Sequence, residues 1–144
     1  MFRLSSALLC AIFMLAGACH KNAAEQPEPA GTLEGVWIVG LTDIVKYDAQ
    51  NNVLAVYPPA ADVMGYTQLT FTSSTLEEYH VRKNTRATIP YVRTGDELTC
   101  PSPATSYTIR KLTARNLDLY FRGEYIQFGT SVYRNDFTIH LQRQ

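Results

Sequence analysis

Apolar and polar residues alternate along five stretches of the chain between residues 37 and 142. In each stretch one parity is apolar and the other is polar or mixed, a period of two that predicts strands covered on one face. The stretches are 37–42, 68–72, 78–82, 117–122 and 137–142. Turn-forming clusters rich in Gly, Pro, Asn, Asp and Ser separate them, and no segment carries a sustained helical period. The pattern therefore predicts an all-β domain, either a sandwich or a barrel.

Closure of the sheet decides between these architectures. An open sheet of this size would leave two unpaired edge strands, and closing it into a barrel removes them. Residues 33–144 have room for eight strands with short connections. We therefore predict an antiparallel, up-and-down, eight-stranded barrel over residues 33–144. The interior of such a barrel is either filled by side chains or holds one small ligand.

The N-terminal residues predict export rather than folded structure. Arg3 precedes an uncharged apolar run, 7–15, which is too short to span a membrane and is typical of a secretory signal peptide. Three small residues follow it, and Cys19 comes directly after them. We predict a signal peptide over 1–18. Residues 19–32 contain Pro, Gly and Ala without an apolar period, which predicts a flexible tether.

The run that ends in Cys19 resembles the lipobox of bacterial lipoproteins, in which the cysteine is lipidated and becomes the N-terminus. The resemblance implies a lipoprotein anchored in the outer membrane through its acyl group, facing the periplasm or the cell surface. The lipobox has Leu three residues before the cysteine, whereas this chain has Ala16 there. Residues 16–18 also suit an ordinary signal peptidase. Both enzymes would cut the same bond, so Cys19 is either acylated or simply the new N-terminus.

Composition and residue spacing exclude several functional classes. The chain has 13 basic and 13 acidic residues, and zero net charge argues against a nucleic-acid partner. Three scattered cysteines do not make a disulfide scaffold or a zinc site, and we expect Cys100 to be a small core residue. His80 and His140 fall on the polar parity of their strands and are expected to be solvated at the surface. We predict no cofactor, no metal site and no enzymatic activity.

The barrel region resembles the lipocalin-like, calycin-type domains of Gram-negative lipoproteins. The resemblance rests on Gly35-Val36-Trp37 at the start of the first strand, on Arg143 at the end of the last, and on the order and spacing of strand-like segments between 91 and 119. It implies that the longest loop, 48–65, lies over the open end of the barrel. Because that loop is apolar, it suggests an apolar ligand or a lid that fills the cavity itself.

The two ends of the barrel sequence are expected to meet. In a closed barrel with an even number of strands, the start of the first strand lies beside the end of the last. Arg143 shares the parity of the apolar residues on its strand. We expect its guanidinium to lie over the Trp37 indole and close the barrel floor, as a structural pair rather than a ligand site.

Aromatic residues in the strands are the candidates for a ligand site. Tyrosines that face inward would place hydroxyls in an apolar cavity, which suits the polar end of a small amphipathic ligand. The alternative is that they are ordinary sheet aromatics with hydroxyls at the rim. Arg93 shares the parity of Tyr91 and would meet a ligand carboxylate if that parity faces inward. The candidate lining residues are Phe71, Tyr79, Tyr91, Arg93 and Phe121.

The sequence leaves two functions open. The first is a membrane-anchored barrel that binds a small apolar or amphipathic molecule. The second is a barrel with a packed core that acts as a structural or protein-interaction module of the cell envelope, with an unidentified protein partner. Interior volume discriminates them. The residues predicted to point inward, Trp37 and Leu41 among them, are bulky and favour a filled barrel or a small ligand over a long lipid.

Overall fold

Strands make up most of the chain and confirm the all-β prediction. The computed structural model describes residues 28–101 and 104–144. Within them, one turn of 3₁₀-helix, Val81–Lys83, is the single helical element, and no helix has the length and apolar character needed to cross a membrane. The strands are β1 (Gly35–Asp48), β2 (Val53–Ala60), β3 (Gln68–Phe71), β4 (Thr75–His80), β5 (Thr85–Pro90), β6 (Val92–Thr94), β7 (Glu97–Pro101), β8 (Ala104–Leu112), β9 (Asn116–Arg122), β10 (Ile126–Phe128) and β11 (Ser131–Arg143).

Nine of these strands form a nearly closed antiparallel barrel. Their order is β5-β4-β3-β1-β11-β9-β8-β7-β6, and the two end strands follow one another in the chain. The prediction of eight strands is wrong. Residues 85–94 form one extended segment that is interrupted at Tyr91. The interruption divides it into β5, which pairs with β4, and β6, which pairs with β7. Pro90, which has no N–H to donate, ends β5. Two further strands, β2 and β10, pair outside the barrel path.

Inward-facing residues are fully buried at one end of the barrel and more exposed toward the other. On β11, Leu141 is 1% exposed, whereas Phe137 is half-buried. On the adjacent β9, Leu117 is fully buried, whereas Phe121, which pairs with Phe137, is half-buried. We call the end that contains Trp37 the closed end and the end that contains Phe137 the open end.

A packed core fills the closed half of the barrel. Burying one large apolar side chain stabilises the fold by about 1.5–3 kcal/mol, so this half carries much of the hydrophobic stabilisation. Its fully buried members include Leu33, Trp37, Leu69, Phe71, Leu76, Leu117, Leu119, Ile139 and Leu141.

A β-bulge in β1 reverses the predicted parity of that strand. Val39 pairs with Leu141 and Thr42 pairs with Ile139, so β1 carries one residue more than β11 between these pairs. One extra residue moves every following side chain to the other face. Leu41 is therefore exposed, although the sequence predicts it to point inward, and Thr42 is buried instead.

Four strands continue past the open end as an extension that we call the arm. The arm consists of β2, β10, and the segments 43–48 of β1 and 131–135 of β11, paired in the order β2-β1-β11-β10. In this region β1 has left β3 and β11 has left β9. The expectation that 48–65 forms a lid loop is corrected, because residues 53–60 of that segment pair with β1 as a strand.

The residues just before β1 contact the closed end. Ala30 forms a β-bridge with Thr113, and the Asn116 side-chain amide donates to the Glu28 carboxylate at 2.9 Å. The chain therefore enters the barrel at its closed end. The predicted signal peptide, Cys19 and the tether as far as residue 27 lie outside the described residues.

Candidate functional site

The two residues predicted to form the barrel floor lie in contact. Trp37 and Arg143 are register partners, and the guanidinium carbon lies 4.4 Å from the centroid of the indole ring. The indole N–H donates to the Leu33 carbonyl at 2.8 Å, and Arg143 Nη1 donates to the Glu34 carbonyl at 3.0 Å. A Cβ at Gly35 would lie 2.7 Å from Arg143 Nη1, so glycine leaves room for this approach. Arg143 Nε has no hydrogen-bond partner among the described residues, but the guanidinium lies against the fully buried indole, so the pair closes this end of the barrel.

Two predicted lining residues lie inside the packed half. Phe71 and Tyr91 pack edge to face with 5.9 Å between ring centroids, and both are buried. The Tyr91 hydroxyl donates to the Thr72 carbonyl at 2.6 Å. These aromatic rings belong to the core beside the floor.

Two other predicted lining residues lie away from the interior. Buried Leu76 sets the inward parity of β4, so Tyr79 points outward, where its ring lies 4.7 Å from the Arg86 guanidinium. Arg93 is exposed, and its Nε donates to the Gly95 carbonyl at 2.9 Å. The structure therefore does not bring Tyr79 and Arg93 together with the other candidates.

Phe121 is the predicted lining residue that lies at the open end. Its ring stacks on Phe137 with 5.7 Å between centroids and contacts Tyr107 at 5.9 Å. The three rings come from β11, β9 and β8, which are neighbours in the sheet. They form an aromatic wall on one side of the open end.

A polar cluster adjoins this wall at the Tyr107 hydroxyl and extends to β3 and β4. Glu78 shares the parity of buried Leu76 and pairs with buried Leu69, so it points inward, and His80 follows on the same face. Tyr66, just before β3, packs its ring edge to face on His80 at 5.9 Å. The expectation that His80 is a solvated surface residue is corrected, because its inner position makes it half-buried.

Glu78 and His80 lie next to each other on the inner face of β4. His80 Nδ1 lies 3.0 Å from the Gly65 carbonyl, which can only accept, so Nδ1 carries a hydrogen. His80 Nε2 lies 3.6 Å from Glu78 Oε2. Burial raises the pKa of Glu78 more strongly than His80 lowers it. Because 3.6 Å is longer than a hydrogen bond, the carboxylate keeps acceptor capacity.

Two phenols complete the cluster. Tyr66 is 4% exposed, and its hydroxyl has no hydrogen-bond partner within 3.5 Å among the described residues, although the Tyr107 hydroxyl lies near enough to interact with it. Burial raises the pKa of Tyr66 well above its usual value, and nearby Tyr107 and Glu78 add to this. Burial, reinforced by the Glu78 charge, raises the pKa of Tyr107 to about 12. Both phenols therefore stay protonated. A buried hydroxyl without a hydrogen bond costs the fold about 1–3 kcal/mol, so the position of the Tyr66 hydroxyl is unfavourable unless another group bonds to it.

Cys100 borders the same cluster from β7. It is buried, as predicted, and burial raises the pKa of its thiol, with a further contribution from the charge of Glu78. A reactive cysteine needs the opposite environment, one that stabilises the thiolate. Cys100 is therefore a core residue and not an activated nucleophile.

A second ionic cluster lies on the outer face, where His140 was expected to be solvated. Its Nδ1 lies 2.8 Å from Asp118 and its Nε2 lies 2.9 Å from Asp43. Partial burial lowers the pKa of His140, but the two carboxylates outweigh it and the net shift is upward. An open groove of about 450 Å³ runs beside it. Since both ring nitrogens are occupied, His140 links β1, β11 and β9 and has no free nitrogen to act as a base.

No protein-family model matches the chain, and comparisons with curated proteins and with solved structures find no match. Among the described residues, no group of three or more His, Cys, Asp or Glu side chains could hold a metal ion.

Sequence reasoning missed Glu78 and His80 because it assigned the inward parity of β4 to Tyr79, and it did not select Tyr66, which lies just before β3. The signal that could have identified them is Leu76, the large aliphatic residue of that strand. If Leu76 points inward, Glu78 and His80 do so as well, two and four positions later.

Proposed function

We propose that this protein is an exported, lipid-anchored, lipocalin-like envelope protein that binds a small amphipathic molecule at the open end of its barrel. The observation that carries the proposal is the half-buried Glu78 carboxylate, which has no lysine or arginine partner among the described residues, beside the buried Tyr66 hydroxyl. Polar groups with free hydrogen-bonding capacity, set against an aromatic wall, are the usual composition of a small-molecule site.

The size of the ligand follows from the packing of the barrel. The buried core extends from the closed end as far as Tyr66, Cys100 and Tyr107, so the space left for a ligand lies at the mouth of the open end. A long acyl chain would need the whole length of the interior. The ligand is therefore compact. Its apolar part lies against Phe121 and Phe137, and its polar part points toward Tyr66 and Glu78.

The position of the anchor orients the site. The chain enters at the closed end, through the contacts of Ala30 and Glu28. If Cys19 is acylated, the intervening residues span at most roughly 30 Å when fully extended. The closed end then lies toward the membrane, and the open end faces the aqueous side, where it meets soluble ligands.

The second candidate function is a protein-interaction module. It is favoured by the exposed apolar side chains of the arm and of Tyr125, which directly precedes β10. Several large apolar side chains of this region are exposed, Phe128 at 78% and Val56 at 71%. Exposed apolar clusters of this kind commonly mark protein interaction sites. The other members are Val53, Leu54, Tyr57, Tyr125, Ile126 and Val132.

Native mass spectrometry of the full chain, purified from a Gram-negative envelope in mild detergent, tests the two candidates together. A defined extra mass that disappears on denaturation supports the binding function. If the Tyr66→Phe variant lacks this extra mass, the ligand binds beside Tyr66. A bare mass with a co-purifying protein that is lost from a Val56→Ser/Phe128→Ser variant supports the interaction module instead. A bare mass after incubation with small amphiphiles would overturn the binding function.

A further inference from the structure

We propose that the ligand of the open end is a small organic cation, an ammonium group on an apolar body, with the Glu78 carboxylate as its counter-ion and the Tyr66 hydroxyl as a second acceptor. This inference rests on the proposed function and names the ligand class of the same site.

The groups around Glu78 leave it without a lysine or arginine partner, and His80 is its one basic neighbour among the described residues. The titratable groups that face it are His80 on its own strand, Tyr66 before β3, Cys100 on β7 and Tyr107 on β8. None of these is lysine or arginine. An anionic ligand would place a second negative charge beside Glu78, whereas a cation would compensate it.

The two arginines that neighbour this strand in sequence and pairing form ion pairs on the outer surface, and Lys83, in the turn that follows the strand, is exposed. Arg86 pairs with Glu77, and Arg82 Nη2 lies 2.9 Å from Asp62 Oδ2. Glu77 and Glu78 are adjacent in the chain but point to opposite faces, so only Glu77 receives a guanidinium. The inner carboxylate is therefore positioned to receive a cation from outside the chain.

Hydrogen-bonding capacity points to the same ligand class. A carboxylate offers up to four acceptor sites, and the Tyr66 hydroxyl offers two more together with one donor. An ammonium group brings up to three donors and matches this excess of acceptors. A purely apolar ligand would leave Glu78 and Tyr66 unpaired and further desolvated, which is unfavourable. The aromatic wall of Tyr107, Phe121 and Phe137 accommodates the apolar body and attracts a nearby cation through the ring faces.

Three probes with one phenyl body test the charge preference. Their binding to the full chain carrying Cys19→Ala, which cannot be acylated, is followed by NMR titration at pH 8. The probes are 2-phenylethylamine, 2-phenylethanol and 3-phenylpropanoate. We expect the amine to bind about tenfold more tightly than the alcohol, and the carboxylate more weakly than the alcohol. The largest shifts should fall on the amides around Tyr66 and Glu78.

Glu78→Gln and its neighbour Glu77→Gln form a matched pair of variants. Glu78→Gln should lower the affinity for the amine about tenfold and leave that for the alcohol unchanged. Glu77→Gln, which removes an equal charge from the outer face, should change neither. A thermal melt verifies that both variants fold.

The outcomes separate this inference from the proposed function. Equal affinity for amine and alcohol, or an amine affinity that Glu78→Gln leaves unchanged, overturns the cation inference while binding at the open end stands. No shift with any probe, together with a bare mass in native mass spectrometry, overturns the proposed function itself. Should Glu78→Gln fail to fold, the ratio of amine to alcohol affinity in the unsubstituted barrel still decides the charge preference.

Discussion

At the residue scale, Arg134 and Asp136 form an ion pair that is shielded from solvent, with side chains 6% and 4% exposed. Arg134 Nε donates to the carboxylate at 2.8 Å, and the Tyr120 hydroxyl donates to its other oxygen at 2.5 Å. The guanidinium lies between the rings of Tyr47 and Tyr125, at 4.7 and 5.2 Å. Burial raises the pKa of Asp136, but these hydrogen bonds outweigh it and the net shift is downward. The charges are compensated only as long as both partners remain.

Asp136→Asn should therefore destabilise the protein strongly. It leaves the Arg134 guanidinium buried beside a neutral amide, and breaking a buried pair costs about 3–5 kcal/mol. The midpoint of urea unfolding should fall with an unchanged slope. Glu77→Gln, which breaks a more exposed pair, is the control and should cost less than about 1 kcal/mol. Equal effects of the two substitutions would show that the buried pair contributes no more than a surface one.

At the element scale, the outer face of the barrel is linked across three strands by His140. Asp43 on β1 and Asp118 on β9 each contact one nitrogen of this residue on β11. An imidazolium donates to both carboxylates, whereas a neutral imidazole can donate to only one. The cross-strand link is therefore complete only when His140 is protonated.

Stability should fall as the pH rises past this titration. The folded-state pKa of His140 is raised, so its contribution is fully present below about 6.5, the unfolded value. It is lost as the pH rises through the higher folded-state value. His140→Gln should remove this part of the pH dependence. Urea unfolding of both proteins between pH 5 and 9 measures it, and parallel curves for the two proteins would contradict the assignment.

Regular strands were predictable from the sequence, and irregular ones were not. The alternation in β9 and β11 gives their inner faces correctly, because both keep an unbroken period of two through the barrel. The bulge before Thr42 and the break at Tyr91 change parity or pairing without any change in hydropathy, so Leu41 and the number of strands were predicted wrongly. Register depends on the partner strand, which the period alone does not contain.

The candidate site shows the same limit. The inward direction of Phe121 was predictable, because an apolar residue at an apolar position of an alternating strand is expected to face the interior. Glu78 and His80 were missed because polar residues that alternate along a strand are normally its solvent-facing side. Polar residues on the inner side give the same hydropathy pattern. Only the burial of Leu69 and Leu76 beside them fixes their direction.

At the scale of the whole molecule, packing is unequal between the two ends. The closed end contains fully buried Trp37 with Arg143 over its ring, while the arm exposes Phe128 and Val56. Side chains that are exposed in the folded state contribute little to folding. Stability should therefore depend on the closed end and be almost independent of apolar residues on the arm.

Trp37→Ala and Phe128→Ser test this inequality. Deletion of the buried indole should cost about 3–5 kcal/mol. The arm substitution should change the free energy of unfolding by less than about 0.5 kcal/mol. Both are measured by urea unfolding. A Trp37→Ala variant that unfolds like the unsubstituted protein would contradict the role of Trp37 in the barrel floor.

The anchor and the orientation of the barrel are tested with one further set of variants. Cys19→Ala should move the protein from the membrane to the soluble periplasmic fraction, whereas Cys10→Ala, inside the predicted signal peptide, should leave fractionation unchanged. Membrane association that survives Cys19→Ala would contradict the anchor.

Because the chain enters at the closed end, a fluorophore on Arg115→Cys should be quenched by lipid-embedded spin labels more strongly than one on Ser131→Cys at the arm. Buried Cys100 should remain unlabelled in both. Equal quenching would mean that the barrel lies along the membrane, and the open end would then lose its defined access to the aqueous side.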